Sequence, residues 1–152
     1  MHGELIARLA SRGLTVAVAE SLTGGLLCAE LTEVPGASAV VRGGVVAYAA
    51  DIKASALGVS EQLLSDVGAV DGDVALAMAT GVAHKLGADI GLSTTGVAGP
   101  DQQGGKPVGT VFIACVWGEK HTVQELSLVG TRNEIRALTV QSALSLLSSV
   151  IS

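Results

Sequence analysis

Aromatic side chains are almost absent: Tyr48, Phe112 and Trp117 are the only ones in 152 residues, too few for a platform on which bases could stack. Charge is scarce as well. Asp, Glu, Lys and Arg make up 15% of the chain, the net charge is −5, and there is no run of Lys or Arg. A nucleic-acid-binding face needs a basic stripe, so DNA and RNA are poor partners for this chain. Long apolar runs are missing although 49% of the residues are hydrophobic. Each run is broken by Gly, Ser or a charge well short of the ~20 residues that a membrane helix requires. The opening "MHGELIARLASRG" carries Glu4 and Arg8 inside an amphipathic pattern, where an export signal would need an unbroken apolar centre. A soluble, cytoplasmic protein without a membrane partner is therefore expected. Cys28 and Cys115 are the only cysteines and lie far apart in apolar contexts, which excludes a disulfide framework and a zinc spacing. His2, His84 and His121 are scattered, so no metal site assembles locally.

What is present is enough apolar content for a real core in a single domain spanning residues 1–152. So much of it, with so little charge to cover a monomer, points toward a homo-oligomer. Leu5, Ile6 and Leu9 fall at helical spacing, and Gly13 stands where a C-cap glycine belongs. "LTVAVAE" (Leu14 to Glu20) reads as a strand, "TGGLLCAELT" (Thr23 to Thr32) as a helix, and "VVRGGVVAYAA" as β-rich. "DIKASALGVSEQLLSDVG" gives two short helices with Ser60 as N-cap of the second. Asp71 or Asp73 caps the next helix, which Gly87 ends. "ADIGLSTT" is a buried strand, and "TVFIACVW" and "HTVQELSLV" form a hairpin across Gly118–Lys120. Thr131 caps a final helix. Helices alternating with buried strands predict a three-layer α/β/α sandwich, and the late hairpin makes its mostly parallel sheet mixed.

In open α/β sheets ligands sit beyond the carboxyl ends of strands. Three segments have that place: Glu20–Gly25, Tyr48–Lys53 and Thr94–Pro100. Ser21 has two readings. It is an N-cap hydroxyl, or it is a nucleophile whose oxyanion faces helix N–H groups, with Gly24 and Gly25 allowing close approach. "AESLTGG" is not a GxSxG elbow, so an α/β-hydrolase is not supported. No histidine is well placed as a base, and lysine is the other known partner for serine. Lys53 lies among Ile52, Ala54, Ala56 and Leu57. Such a neighbourhood lowers an ammonium pKa, whereas an ordinary lysine is a solvated surface charge. Tyr48 either relays a proton or stacks on a planar ring, or it is a core edge with its hydroxyl in water. "TTGVAGPDQQGGKPVGT" has neither the P-loop nor the GxGxxG order. Its glycines offer N–H groups to an anion or an amide oxygen, or simply turn the chain. Arg132 and Arg136 form a phosphate fork or a solvated face beside Glu134.

"AESLTGG", "GGVVAYAADIKASALGV", "GAVDGDVALAMATGV", "TTGVAGPD…GGKPVGTVFIA" and "GTRNEIR" occur in that order between Ala19 and Arg136. Together they resemble the CinA C-terminal domain family, which includes stand-alone nicotinamide mononucleotide (NMN) deamidases of pyridine nucleotide (NAD) salvage. The resemblance implies an α/β/α sandwich that hydrolyses NMN to nicotinate mononucleotide and ammonia, with no metal and no cofactor. It makes Ser21 the nucleophile and Lys53 its base, with Tyr48 beside them. Thr95, Gly96, Ala98 and Gly99 would line the pocket, and Arg132 or Arg136 would meet the phosphate. Thr23, Gly24, Gly25 and Gly44 are carried over as further substrate contacts. Three departures stand out: Ala49-Ala50-Asp51 replaces a more polar stretch, Asp71 a usual serine, and "PDQQGG" the commoner "PDGG". The alternative function is a non-catalytic nucleotide- or phosphate-binding regulatory module. Hydrolysis of a different pyridine or sugar-phosphate amide is a third reading. The family's competence and damage-inducible names suggest DNA, which conflicts with the acidic balance.

Overall fold

The structure, a computed structural model, describes residues 2–152. Strand β1 (Val16–Glu20) is buried along its whole length because it has neighbours on every side. It lies between β2 (Val41–Val46) and β3 (Ile90–Gly96) and runs parallel to both. Strand β3 then pairs antiparallel with β4 (Thr110–Trp117), and β4 with β5 (Lys120–Ser127). The order is β2-β1-β3-β4-β5, and β4 alone opposes the other strands. The sheet is therefore mixed and mostly parallel in direction, as the sequence leads one to expect.

Helices cover both faces. On one, α1 (His2–Ser11), α2 (Leu26–Thr32) and the long C-terminal helix (Arg132–Val150) bury Leu9, Leu27, Ile135 and Leu147 against Val16 and Val18. On the other, α3 (Ala50–Leu57), α4 (Glu61–Val67) and α5 (Gly72–Leu86) pack Leu57, Val74, Met78 and Val82 on Ala17 and Ala19. Valine toward one face of β1 and alanine toward the other follow from the period-two alternation of a strand. Small residues let α5 sit close to the sheet. A Cβ at Gly91 would lie 1.9 Å from the Ala79 carbonyl oxygen, so no other residue fits there. The C-terminal helix is α6 in chain order.

Local signals act where expected. Ser60 accepts the Leu63 N–H, and Asp71 accepts those of Asp73 and Val74. Thr131 and Glu134 form a reciprocal capping box at the start of α6. Two boundaries differ from the sequence reading. Helix α2 begins at Leu26 rather than Thr23, because Gly24 and Gly25 adopt positive φ (56° and 106°) that a helix does not accommodate. Strand β2 stops at Val46. Ala47 still donates to the Glu20 carbonyl at 2.8 Å, but the Ala49 carbonyl already accepts from Ile52 and Lys53, which starts α3. Among the described residues no helix is long and apolar enough to cross a membrane.

Candidate active site

The carboxyl ends of β1 and β3 and the turn after β2 enclose a cavity of about 380 Å³. Ser21 follows directly on β1. Its N–H donates to the Thr94 carbonyl at 3.1 Å, which extends the parallel ladder by one step and fixes the residue. Lys53 is the fourth residue of α3. Side chains on a helix lean toward its N-terminus, so the amine reaches back to the turn that precedes α3. There Nζ lies 2.9 Å from Ser21 Oγ, 2.8 Å from the Ala47 carbonyl oxygen and 3.1 Å from that of Tyr48.

These three contacts suit a neutral amine. Two N–H bonds meet the two carbonyls, and the lone pair is left for the Ser21 hydroxyl proton. Lys53 is 1% exposed, and burial pulls its pKa from 10.5 down to about 8. Desolvation penalises the ammonium, and no carboxylate forms an ion pair with it among the described residues. Serine and lysine are thus a hydrogen-bonded pair with the base tuned toward neutrality.

The remaining walls come from β3 and α6. Thr95 is fully buried, and its hydroxyl donates to the Ala69 carbonyl at 2.8 Å. Its proton is thereby occupied, so Oγ1 offers only lone pairs to anything in the cavity. Gly96, Ala98 and Gly99 follow it around the wall. Arg132, in the first turn of α6, reaches the mouth of the cavity, where it donates to the Gly99 carbonyl and, at 3.2 Å, to the Tyr48 hydroxyl. The Tyr48 ring is 62% exposed and stands at the rim, not in the core.

The other candidates lie outside the cavity. Arg136, one turn further along α6, points to the backbone of the Ser21 loop and donates to the Leu22 carbonyl at 2.8 Å and to that of Thr23 at 3.5 Å. Thr23 is buried with its hydroxyl 2.8 Å from that of Thr94. A Cβ on Gly24 would meet the Arg136 guanidinium at 3.2 Å, and Gly25 donates its N–H to Glu20. Gly44 pairs with Val18 inside the sheet. What approaches its backbone is Val18 of β1 and Cys28 of α2: an added Cβ would lie 2.9 Å from Val18 Cγ2 and 3.1 Å from the Cys28 sulfur. His84 and His121 are exposed, and His2 pairs with Glu30 at 3.1 Å. A recess of about 400 Å³ between α1 and α6 has its cation engaged, Arg8 donating to Ser148.

One expectation is corrected. The N–H groups at the start of α2 do not face the nucleophile's oxygen. Glu20, 1% exposed, accepts from Gly25 at 3.2 Å, Leu27 at 2.9 Å and Cys28 at 3.0 Å, so its carboxylate occupies them. Among the residues lining the cavity, Leu22, Tyr48, Ala69, Val70, Ala98 and Gly99 have backbone N–H groups with no acceptor among the described residues. Glu20 was visible in "AESLTGG" without a role. The signal for one was its neighbour: α2 has Gly25 as N-cap, with no side-chain acceptor, so its first N–H groups need an acceptor from elsewhere.

Comparisons with known proteins agree with this architecture. The model of the CinA C-terminal domain matches residues 1–151. A CinA-like protein of Frankia casuarinae is 50% identical over 151 residues, 99% of this chain and 35% of the relative. A CinA-like protein of Dictyoglomus turgidum is 45% identical over 142 residues, 91% of this chain and 34% of the relative. The chain thus spans about a third of the length of these curated relatives. Among solved structures, the competence/damage inducible protein CihA of Agrobacterium tumefaciens superposes with a TM-score of 0.92 at 38% identity, covering 99% of this chain and 96% of that one. A CinA superfamily protein of Escherichia coli gives 0.96 at 31% identity, covering 98% and 87%. The chain belongs to the CinA C-terminal domain family.

Proposed function

We propose that this protein is an amidohydrolase that releases ammonia from NMN, with Ser21 as nucleophile and Lys53 as its base. The observation that carries the reading is the 2.9 Å contact between Ser21 Oγ and a buried Lys53 amine that two carbonyls hold in place. The substrate carboxamide enters beside Ser21. Its NH₂ donates to Thr95 Oγ1, whose own proton is already on Ala69. Lys53 Nζ takes the hydroxyl proton as Oγ bonds to the amide carbon. The oxyanion meets free N–H groups at the cavity wall, worth on the order of 3 kcal/mol for each donor in comparable sites. Collapse breaks the C–N bond, and Lys53 returns the proton to the leaving nitrogen, which departs as ammonia. Water then adds to the ester, Lys53 accepts one of its protons, and Oγ leaves with that proton to give the carboxylic acid, which ionises to the carboxylate in solvent.

Arg132 at the mouth suits the substrate phosphate, because a guanidinium offers a fork of donors to its oxygens. Arg136 does not share that role, since it lies outside the cavity with its guanidinium turned to the Leu22 and Thr23 carbonyls. The test is ammonia release by the purified protein from NMN, nicotinamide riboside and nicotinamide. NMN is expected to react fastest. Release from the riboside at an equal rate would overturn the phosphate assignment, and thermal stabilisation by NMN without ammonia would replace the enzyme with a binding module.

A further inference from the structure

The residue before the nucleophile is a buried acid that forms no ion pair among the described residues. From α6, on the far side of the same turn, Arg136 is aimed at backbone rather than at solvent or at the cavity. We propose that Glu20 and Arg136 are positioning residues for Ser21. They grip the turn from Leu22 to Cys28 by its N–H groups on one side and its carbonyls on the other, and leave the Leu22 N–H group, on the cavity wall, to meet an oxyanion at Ser21. This rests on the reading of Ser21 as a nucleophile.

A count of the backbone donors leads there. The Ser21 N–H is held by Thr94, that of Gly24 by the Ser21 carbonyl, and that of Leu26 by the Thr23 carbonyl. Glu20 takes those of Gly25, Leu27 and Cys28, using both carboxylate oxygens. Leu22 and Thr23 remain. Of these, Leu22 lines the cavity, whereas Thr23 is fully buried outside it. Arg136, also outside the cavity, holds the Leu22 carbonyl at 2.8 Å and that of Thr23 at 3.5 Å, so it fixes the residue that carries the free N–H from the side away from Ser21's cavity. Glu20 acts by the converse contact. All three of its partners are donors, so glutamine is no substitute there: its NH₂ would confront an N–H, and the turn would have to shift.

The experiment measures how fast a neutral fluorophosphonate labels Ser21 in the purified chain. Oγ displaces fluoride at phosphorus, and the phosphoryl oxygen needs the same donors as an oxyanion. Wild type is expected to be labelled at Ser21. Glu20→Gln and Arg136→Met are expected to be labelled about 10²-fold more slowly per folded molecule, the scale of a misplaced reacting group. Arg136→Lys, which keeps a donor for one carbonyl, is expected to fall between. If the variants lose folded protein while the remainder is labelled at the wild-type rate, the two residues are only structural and the proposal is wrong. The Arg136 pair decides the matter if Glu20→Gln does not fold. A wild type that is not labelled removes the nucleophile and this proposal with it. A labelled wild type that ignores NMN removes only the substrate.

Discussion

The loops after β1 and β3 face each other across one cavity, yet they are held in opposite ways. The first is short and buried. Ser21, Leu22 and Thr23 are at most 7% exposed, and the backbone around them is tied to Thr94, Glu20 and Arg136. The second is long and mostly exposed. It is anchored at its base, where Gly109 donates to Val97 and Val97 to Thr110, and its tip turns at Gly104-Gly105 between paired Gln103 and Lys106. Arg132 ties this loop to the rim through Gly99, as Arg136 ties the first from behind. The proposed reaction at an amide carbon would tolerate little misplacement, which accords with a fixed wall around Ser21. The wall proposed to meet the rest of the ligand is built on exposed loop, where sequence changes cost the fold little.

The comparison breaks first at the base. Lys53→Ala leaves the serine without a proton acceptor, and a loss of at least ~10³-fold in kcat is expected in an ammonia assay. Retained turnover would mean that the fixed wall is not the reacting one. A pH profile sharpens the same point. The base must be neutral, and its pKa lies at about 8. Activity is therefore expected to fall about tenfold per unit as pH drops below that value, and to level off above it. Arg132→Gln probes the other wall. KM for NMN is expected to rise about 10-fold, the scale of a lost charge-assisted hydrogen bond, while kcat changes less and the riboside is unaffected. The smallest effect is on stability. Helix α3 has Ala49 as its N-cap, in extended conformation and with no side-chain acceptor. Ala49→Ser is expected to stabilise the fold by about 0.5–1 kcal/mol in denaturant melts.

The two walls also differed in how well the sequence disclosed them. Signals that act within a few residues were legible. Ser60, Asp71 and Thr131 cap helices because each meets its own N–H groups two or three residues on. The run Leu14–Glu20 likewise read as a strand, and β1 is Val16–Glu20. The Ser21–Lys53 pair was approachable from the apolar run around Lys53, although the burial itself comes from packing of α3 on the sheet. Contacts made at a distance were not legible. Arg132 and Arg136 share one face of α6, and only the seating of that helix sends one to the cavity and the other to Leu22. Gly44, carried over as a substrate contact, instead meets Val18 and Cys28 inside the fold. Glu20 reads as the polar end of a strand until the turn brings three N–H groups onto it.

The most direct measurement is ammonia release from NMN by wild type and Ser21→Ala, prepared together and shown to melt at similar temperatures. Release by wild type and background levels from Ser21→Ala are the expected result. Equal release from both would contradict the assignment of the buried serine–lysine pair as the reacting groups.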